Sequence, residues 1–232
     1  MIRDLSSLPS LAIKEKTRLF KDDSSGIFAM SKLLNPNQSY TFSKIFELRI
    51  EPDDLVTEFG YTLQRTRLNL PQYHGELDRL EDLRSRIEEV LPYVSLASET
   101  SRREVLISQV VLDLVHYTKA QLRIEYPLKV TEQLQGYLDY LLKSETELLV
   151  IEAKREDLDY GFTQLVAEMI ALDQWDRTPE QSILIGAVTT GKIWQFGRLN
   201  RATKHIEQGL DSYRVPDDLE PLMRILVQVL IA

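Results

Sequence analysis

Two apolar runs, residues 136–142 (GYLDYLL) and 148–154 (LLVIEAK), flank the short polar stretch Ser144-Glu-Thr-Glu147. Each run is strand length and a turn sequence separates them, so they read as an antiparallel hairpin. With the turn at residues 144–147, Lys143 pairs with Leu148 and Asp139 falls opposite Glu152, their Cβ atoms about 5 Å apart. Alternation then puts Tyr137, Asp139, Leu141, Val150, Glu152 and Lys154 on one face. Leu138, Tyr140, Leu142, Leu149, Ile151 and Ala153 make up an apolar surface on the other.

Two opposed carboxylates in a partly buried strand pair repel unless a proton or a cation lies between them. A hard divalent ion such as Mg2+ meets that need, since it binds through one or two carboxylates together with water and substrate phosphate. The bland alternative is a wet hairpin face, with Asp139 and Glu152 solvated and Lys154 a surface counter-charge. The surrounding chain bears on the choice.

A chain of 232 residues suits one large domain, or a domain with a substantial extension. The absence of cysteine excludes disulfides and thiolate metal sites and fits a reducing cytoplasm. His74, His116 and His205 are too scattered to suggest a zinc cluster. No apolar run is long enough to span a membrane and the first residues lack a signal-peptide core, so a cytoplasmic protein with no membrane partner is expected. A net charge of −8 argues against general affinity for nucleic acid. Residues 186–206, however, hold Lys192, Arg198, Arg201 and Lys204 and no acid, so a local basic strip is expected there.

Residues 40–50 and 55–70 alternate around the turn-like Glu51-Pro52-Asp53-Asp54 and predict an antiparallel pair. Apolar residues at three-and-four spacing predict a helix over 76–91, ended by Pro92. A second helix is expected over 98–119, where Ser101 and Glu104 have capping-box spacing. Glu104 either reaches back to that cap or, heading a stripe that becomes apolar, points into a site. A strand over 122–130 leads into the hairpin. A helix from 160 to about 175 follows, with Gln164 off its apolar stripe, either in solvent or reaching toward the strand ends. Residues 181–189 and 192–199 read as a strand pair about Thr190-Gly191, and 217–231 as a closing helix.

From residue 98 to residue 200 the order is helix, three strands, helix, two strands. That order, with Asp139, Glu152-Ala153-Lys154 and Gln164 where they fall, resembles the PD-(D/E)XK phosphodiesterase superfamily of restriction-endonuclease-like nucleases. The resemblance covers a little under half the chain. Leu138 stands where the family pattern usually has proline. Glu104 matches a helical acid that many members carry, and Gln164 a glutamine on the following helix.

The resemblance implies an α/β fold: a restriction-endonuclease-like core over 98–232, with a mixed central sheet flanked by helices, and an α+β extension over 1–97. It implies an endonuclease, a hydrolase using Mg2+ or Mn2+. Asp139, Glu152, the Ala153 carbonyl and Glu104 would hold metal. Lys154, its pKa depressed by the cation, would orient or deprotonate water or stabilise phosphorane charge, and Gln164 would position water or phosphate. Lys192, Arg198 and Arg201 would flank bound nucleic acid, DNA being the expected partner. A homodimer would suit double-strand cleavage, with the 76–91 or 217–231 helix as its interface. The competing expectation is a non-catalytic member of the fold that binds nucleic acid or protein.

Overall fold

The computed structural model describes residues 33–154 and 156–231. In chain order the elements begin with helices α1 (Phe42–Glu47) and α2 (Pro52–Glu58), strand β1 (Thr62–Thr66) and helix α3 (Leu80–Val90). A helical run follows, made of α4 (Glu99–Arg102), a π-helical turn (Arg103–Ile107) and α5 (Ser108–Thr118). Then come strands β2 (Gln121–Lys129), β3 (Gln135–Lys143) and β4 (Leu148–Ala153), helix α6 (Leu158–Gln174), strands β5 (Ile183–Thr189), β6 (Ile193–Asn200) and β7 (His205–Arg214), and helix α7 (Leu219–Ile231).

The strands form one mixed seven-stranded sheet in the order β1-β7-β6-β5-β4-β3-β2, parallel at β1/β7 and β4/β5 and antiparallel elsewhere. Helices cover both faces, as an α/β protein requires when its central strands are apolar on both sides. Residues of α3, α5 and α7 pack on the face presenting Tyr140, Leu142, Leu149, Ile151, Ala153, Trp194 and Phe196. Residues of α1, α2 and α6 pack on the face presenting Leu141, Leu148, Val150, Val188 and Leu199. Every residue of β4 is buried, and each fully buried aliphatic side chain there contributes about 1.5–3 kcal/mol. No helix among the described residues is long and apolar enough to cross a membrane.

The hairpin has the expected register. Ser144 and Glu147 close the turn through Ser144 N–H to the Glu147 carbonyl (3.0 Å) and Glu147 N–H to Ser144 Oγ (3.1 Å). Lys143 lies opposite Leu148, and the pairing runs to Tyr140 opposite Ile151. The stretch carrying Glu152 is not wet, however, because α6 covers it. The apolar face also differs in one residue. Leu138 packs with the α6 cluster and not with Tyr140 and Leu142. Beside it Glu125 of β2 adopts left-handed backbone (φ 49°), and the Glu125–Asp139 pair is missing from an otherwise constant register, which resets the alternation.

The region before residue 98 departs most from expectation. Residues 40–50 and 55–70 do not form an antiparallel pair. Thr41 caps α1, accepting from Lys44 N–H (3.1 Å), and Phe42 and Ile45 bury one helical face. Pro52 sits at the start of α2 with Asp53 and Asp54 in its first turn, a helix opening and not a break. The one strand among the described residues here, β1, pairs parallel with β7, a strand that the apolar pattern of 205–214 was too weak to announce. Residues 62–66 therefore share a sheet with the chain after residue 98. Pro127 lies within β2 at a sheet edge, where a missing N–H costs no ladder bond. The apolar faces of α3 and α7, expected at a dimer interface, are turned into this core.

Candidate active site

β4 ends at Ala153, beside the central strand β5, and α6 begins at Leu158. Asp157 begins that helix in left-handed backbone (φ 65°) and its carboxylate accepts from Tyr160 N–H (3.4 Å). The early turns of α6 thus lie against the end of β4. Gly161 makes the approach possible, since a Cβ there would sit 2.9 Å from Lys154 Cγ and 3.0 Å from Val188 Cγ2.

Residues Glu152 and Lys154 point at this helix, and Gln164 and Glu168, one turn apart, point back. Lys154 Nζ pairs with Glu152 Oε1 at 2.5 Å and donates to Gln164 Oε1 at 2.9 Å. Gln164 Nε2 donates to Glu168 Oε1 at 2.9 Å, so the two ends of one amide join an ammonium to a carboxylate. The remaining oxygens, Glu152 Oε2 and Glu168 Oε2, are buried without a hydrogen-bond partner. The four residues are only 0–8 % exposed.

Burial, then the charge of Glu168 and that of Asp139, push Glu152 well above the usual carboxyl range against the pull of Lys154. Burial likewise lifts Glu168 to about 7, although hydrogen bonds from Glu152 and Gln164 oppose it. Glu152 and Glu168 are within hydrogen-bond reach, so one proton shared between the two carboxyls closes a ring of four side chains. For Lys154, burial works against the charge, but Glu152, Glu168 and Asp139 outweigh it and its pKa rises.

Asp139 adjoins the ring without entering it. Its Oδ2 accepts from Ala153 N–H (2.8 Å), and its Oδ1 lies 3.3 Å from Arg103 Nη1. The β3/β4 pairing stops one step short of Asp139 and Glu152, and the aspartate side chain takes over the tie between the strands. Glu104 is exposed in the π-helical turn, close enough to act on Tyr140 electrostatically but outside the ring. Its expected role in a capping box is not realised: Ser98 is the cap and accepts from Ser101 N–H (3.0 Å).

Lys154 opens onto a cleft of about 610 Å³, walled by Phe46 and Arg49 from the α1 region, Ser98 and Glu99 at the start of α4, and Asp157. The Phe46 ring centre is 4.5 Å from Lys154 Nζ, a cation–π contact over the reactive-looking amine. The basic strip is divided. Lys192 is exposed in the turn after β5, at the site's end of the sheet. Arg198 pairs with Glu207 at 2.5 Å, level with Leu149 through Ile185 and so well back along the sheet. Arg201 lies at the opposite end, pairing with Asp173 (2.7 Å) and donating to the carbonyls of Pro179 and Gln181.

Sequence reasoning missed Glu168 and Arg103. The signal for Glu168 was its i,i+4 spacing from Gln164, which makes the two neighbours on any helix. Arg103 precedes the acid that drew notice and had no distinguishing mark.

Among the described residues no three histidine or acidic side chains converge as they stand on a point that could hold a metal ion. The donor chemistry nonetheless fits a hard cation: two buried carboxylate oxygens lack partners, and a third carboxylate lies beside them. Neither a protein-family model nor a curated protein matches the chain.

Proposed function

We propose that the chain is a Mg2+-dependent nuclease of the PD-(D/E)XK type, with a restriction-endonuclease-like core, that hydrolyses phosphodiester bonds of DNA in the cytoplasm. The observation that carries the reading is the buried Glu152–Lys154–Gln164–Glu168 ring opening through Lys154 onto a cleft, with Asp139 beside it. Carboxylates stranded in a buried site are costly, and a site that accepts a cation in place of the shared proton offsets that cost.

Asp139, Glu152 and Glu168 would hold Mg2+ or Mn2+, with the Ala153 carbonyl as a further ligand. When bound, the ion would supply an acidified water and offset charge on the phosphate. The chain's own groups supply the rest. Lys154, paired with Glu152 and open to the cleft, would orient or deprotonate the attacking water or stabilise negative charge on the phosphate. Gln164 fixes the ammonium and keeps Glu168 in place. Water adds to phosphorus, the P–O ester bond breaks, and the leaving oxygen gains a proton.

A second reading, a non-catalytic binding module, draws on one observation: Asp139, Arg198 and Arg201 are all engaged by partners within the chain. One experiment separates the two. The protein is incubated with single- and double-stranded DNA and RNA in Mg2+ or Mn2+, alongside Glu152→Gln. Metal-dependent cleavage lost in the variant supports the nuclease; no cleavage above the variant on any substrate rejects it.

A further inference from the structure

Arg103 opens the π-helical turn, in which Ser108 N–H donates back five residues to the Arg103 carbonyl. Such turns recur at functional sites because they re-aim side chains at little cost to the helix. Here Arg103, and not Glu104, faces β3. Its Nη1 lies 3.3 Å from Asp139 Oδ1 and 3.3 Å from Glu125 Oε1, and its guanidinium carbon is 5.3 Å from the Tyr140 ring centre. The side chain is only 16 % exposed.

Asp139 has two oxygens with different tasks. Oδ2 is fixed by the Ala153 N–H, which leaves Oδ1 as the atom free to ligate, and Oδ1 is the atom Arg103 holds. A divalent ion at Oδ1 and a guanidinium 3.3 Å from the same atom repel, so the two exclude one another. The arginine has somewhere to go. Glu125, 3.3 Å from the same Nη1, is 66 % exposed at the sheet edge, and the Tyr140 side chain is a second anchor, within hydrogen-bond reach of the guanidinium. Once released, its planar donor fork matches a phosphate better than any other side chain does.

We propose that Arg103 is a positioning residue that guards Asp139: it holds the carboxylate until a divalent ion displaces it, and the freed guanidinium then binds the phosphate of the nucleic-acid substrate. This rests on the metal-dependent nuclease reading.

Arg103→Met removes the competitor and the phosphate donor together, so the two affinities should move in opposite directions. Mn2+ affinity, measured by titration calorimetry on the full chain, should tighten about tenfold, the change expected when about 1.4 kcal/mol of competition is relieved. Affinity for a fluorescent phosphorothioate oligonucleotide, read by anisotropy with Mn2+ saturating, should weaken by a similar factor. Structural damage weakens both and cannot mimic this split. Arg102→Met is the control: Arg102 bonds the Thr190 carbonyl and not an acid, so its loss should leave Mn2+ affinity within about twofold. The proposal is overturned if Arg103→Met binds Mn2+ no more tightly than the wild type, if Arg102→Met tightens as much, or if oligonucleotide binding is unchanged. Should the wild type and Asp139→Asn both fail to bind Mn2+, the nuclease reading itself falls; tight wild-type binding that Arg103→Met leaves unaltered removes the guard alone.

Discussion

Replacing Glu168 by glutamine should change how stability depends on pH, because it dissolves the pair of buried carboxyls, Glu152 and Glu168, that shares a proton. The Glu168 carboxyl has an ordinary value of 4.5 and is lifted to about 7 in the folded chain, chiefly by burial. Between those values the folded protein keeps a proton that the unfolded chain has released. The group's contribution is therefore fully present below pH 4.5 and is lost as pH rises through about 7. At 1.36 kcal/mol per pH unit, the interval from 4.5 to about 7 comes to about 3 kcal/mol. An amide at this position has no proton to lose and can donate to Glu152 Oε2. Relative to its effect at pH 4.5, Glu168→Gln should then stabilise the protein at pH 8 by about 3 kcal/mol, or about 1 M in urea midpoint for a chain of this size. Urea unfolding in chelator at both pH values, wild type beside variant, measures the difference. A midpoint shift of the same sign and size at both would refute the shared proton.

Lys154→Met should cut any Mg2+-dependent cleavage by at least about 100-fold while the far-UV dichroism and melting profile keep their shape, because Glu152 can answer the loss by staying protonated. Retained cleavage would show that the amine is not part of the chemistry. Gly161→Ala should cost about 1–3 kcal/mol in thermal unfolding and reduce cleavage, since the added methyl presses on Lys154 Cγ and Val188. Arg201→Ala should lower stability by about 2–3 kcal/mol by removing the partner of Asp173 Oδ1 and of three carbonyls. Its affinity for an oligonucleotide should match the wild type's, and a large loss of binding there would place nucleic acid at the end of the sheet away from Lys154.

The hairpin was legible because its evidence is local. A four-residue turn fixes the register, register fixes which side chains share a face, and so Asp139 and Glu152 could be placed from the sequence. What α6 does to that face was not legible. Phe162, Leu165, Val166, Met169 and Leu172 predict one buried stripe, yet residues 161–172 are buried all round because strand ends, α1 and α2 enclose the helix. An acid in a helix reads as solvent-facing unless its partners are known, and of the partners of Glu168 only Gln164 lies on α6, while Glu152 comes from β4. The α1 and α2 helices were misread for a related reason: six or seven residues give too few turns for a helical period to stand out from alternation. β7 has Gln208 and Gly209 among its buried positions, so its pattern names no face at all.

The pairing of β1 with β7 has a consequence for the order in which the molecule assembles. Thr62 meets His205 across 143 residues of chain, and no ribosome can offer that contact until nearly the whole chain has emerged. The frame that holds Asp139, Glu152, Lys154, Gln164 and Glu168 draws on one contiguous stretch, from β3 through α6, with β5 following directly. Contacts of short sequence separation close early and those of long separation late. The acid-lined centre should thus take shape first, and the α1 wall bearing Phe46 and Arg49 should be drawn over Lys154 afterwards, tethered to an edge strand that waits for β7. In pulsed hydrogen exchange during refolding, amides of β4 and α6 should become protected ahead of those of β1.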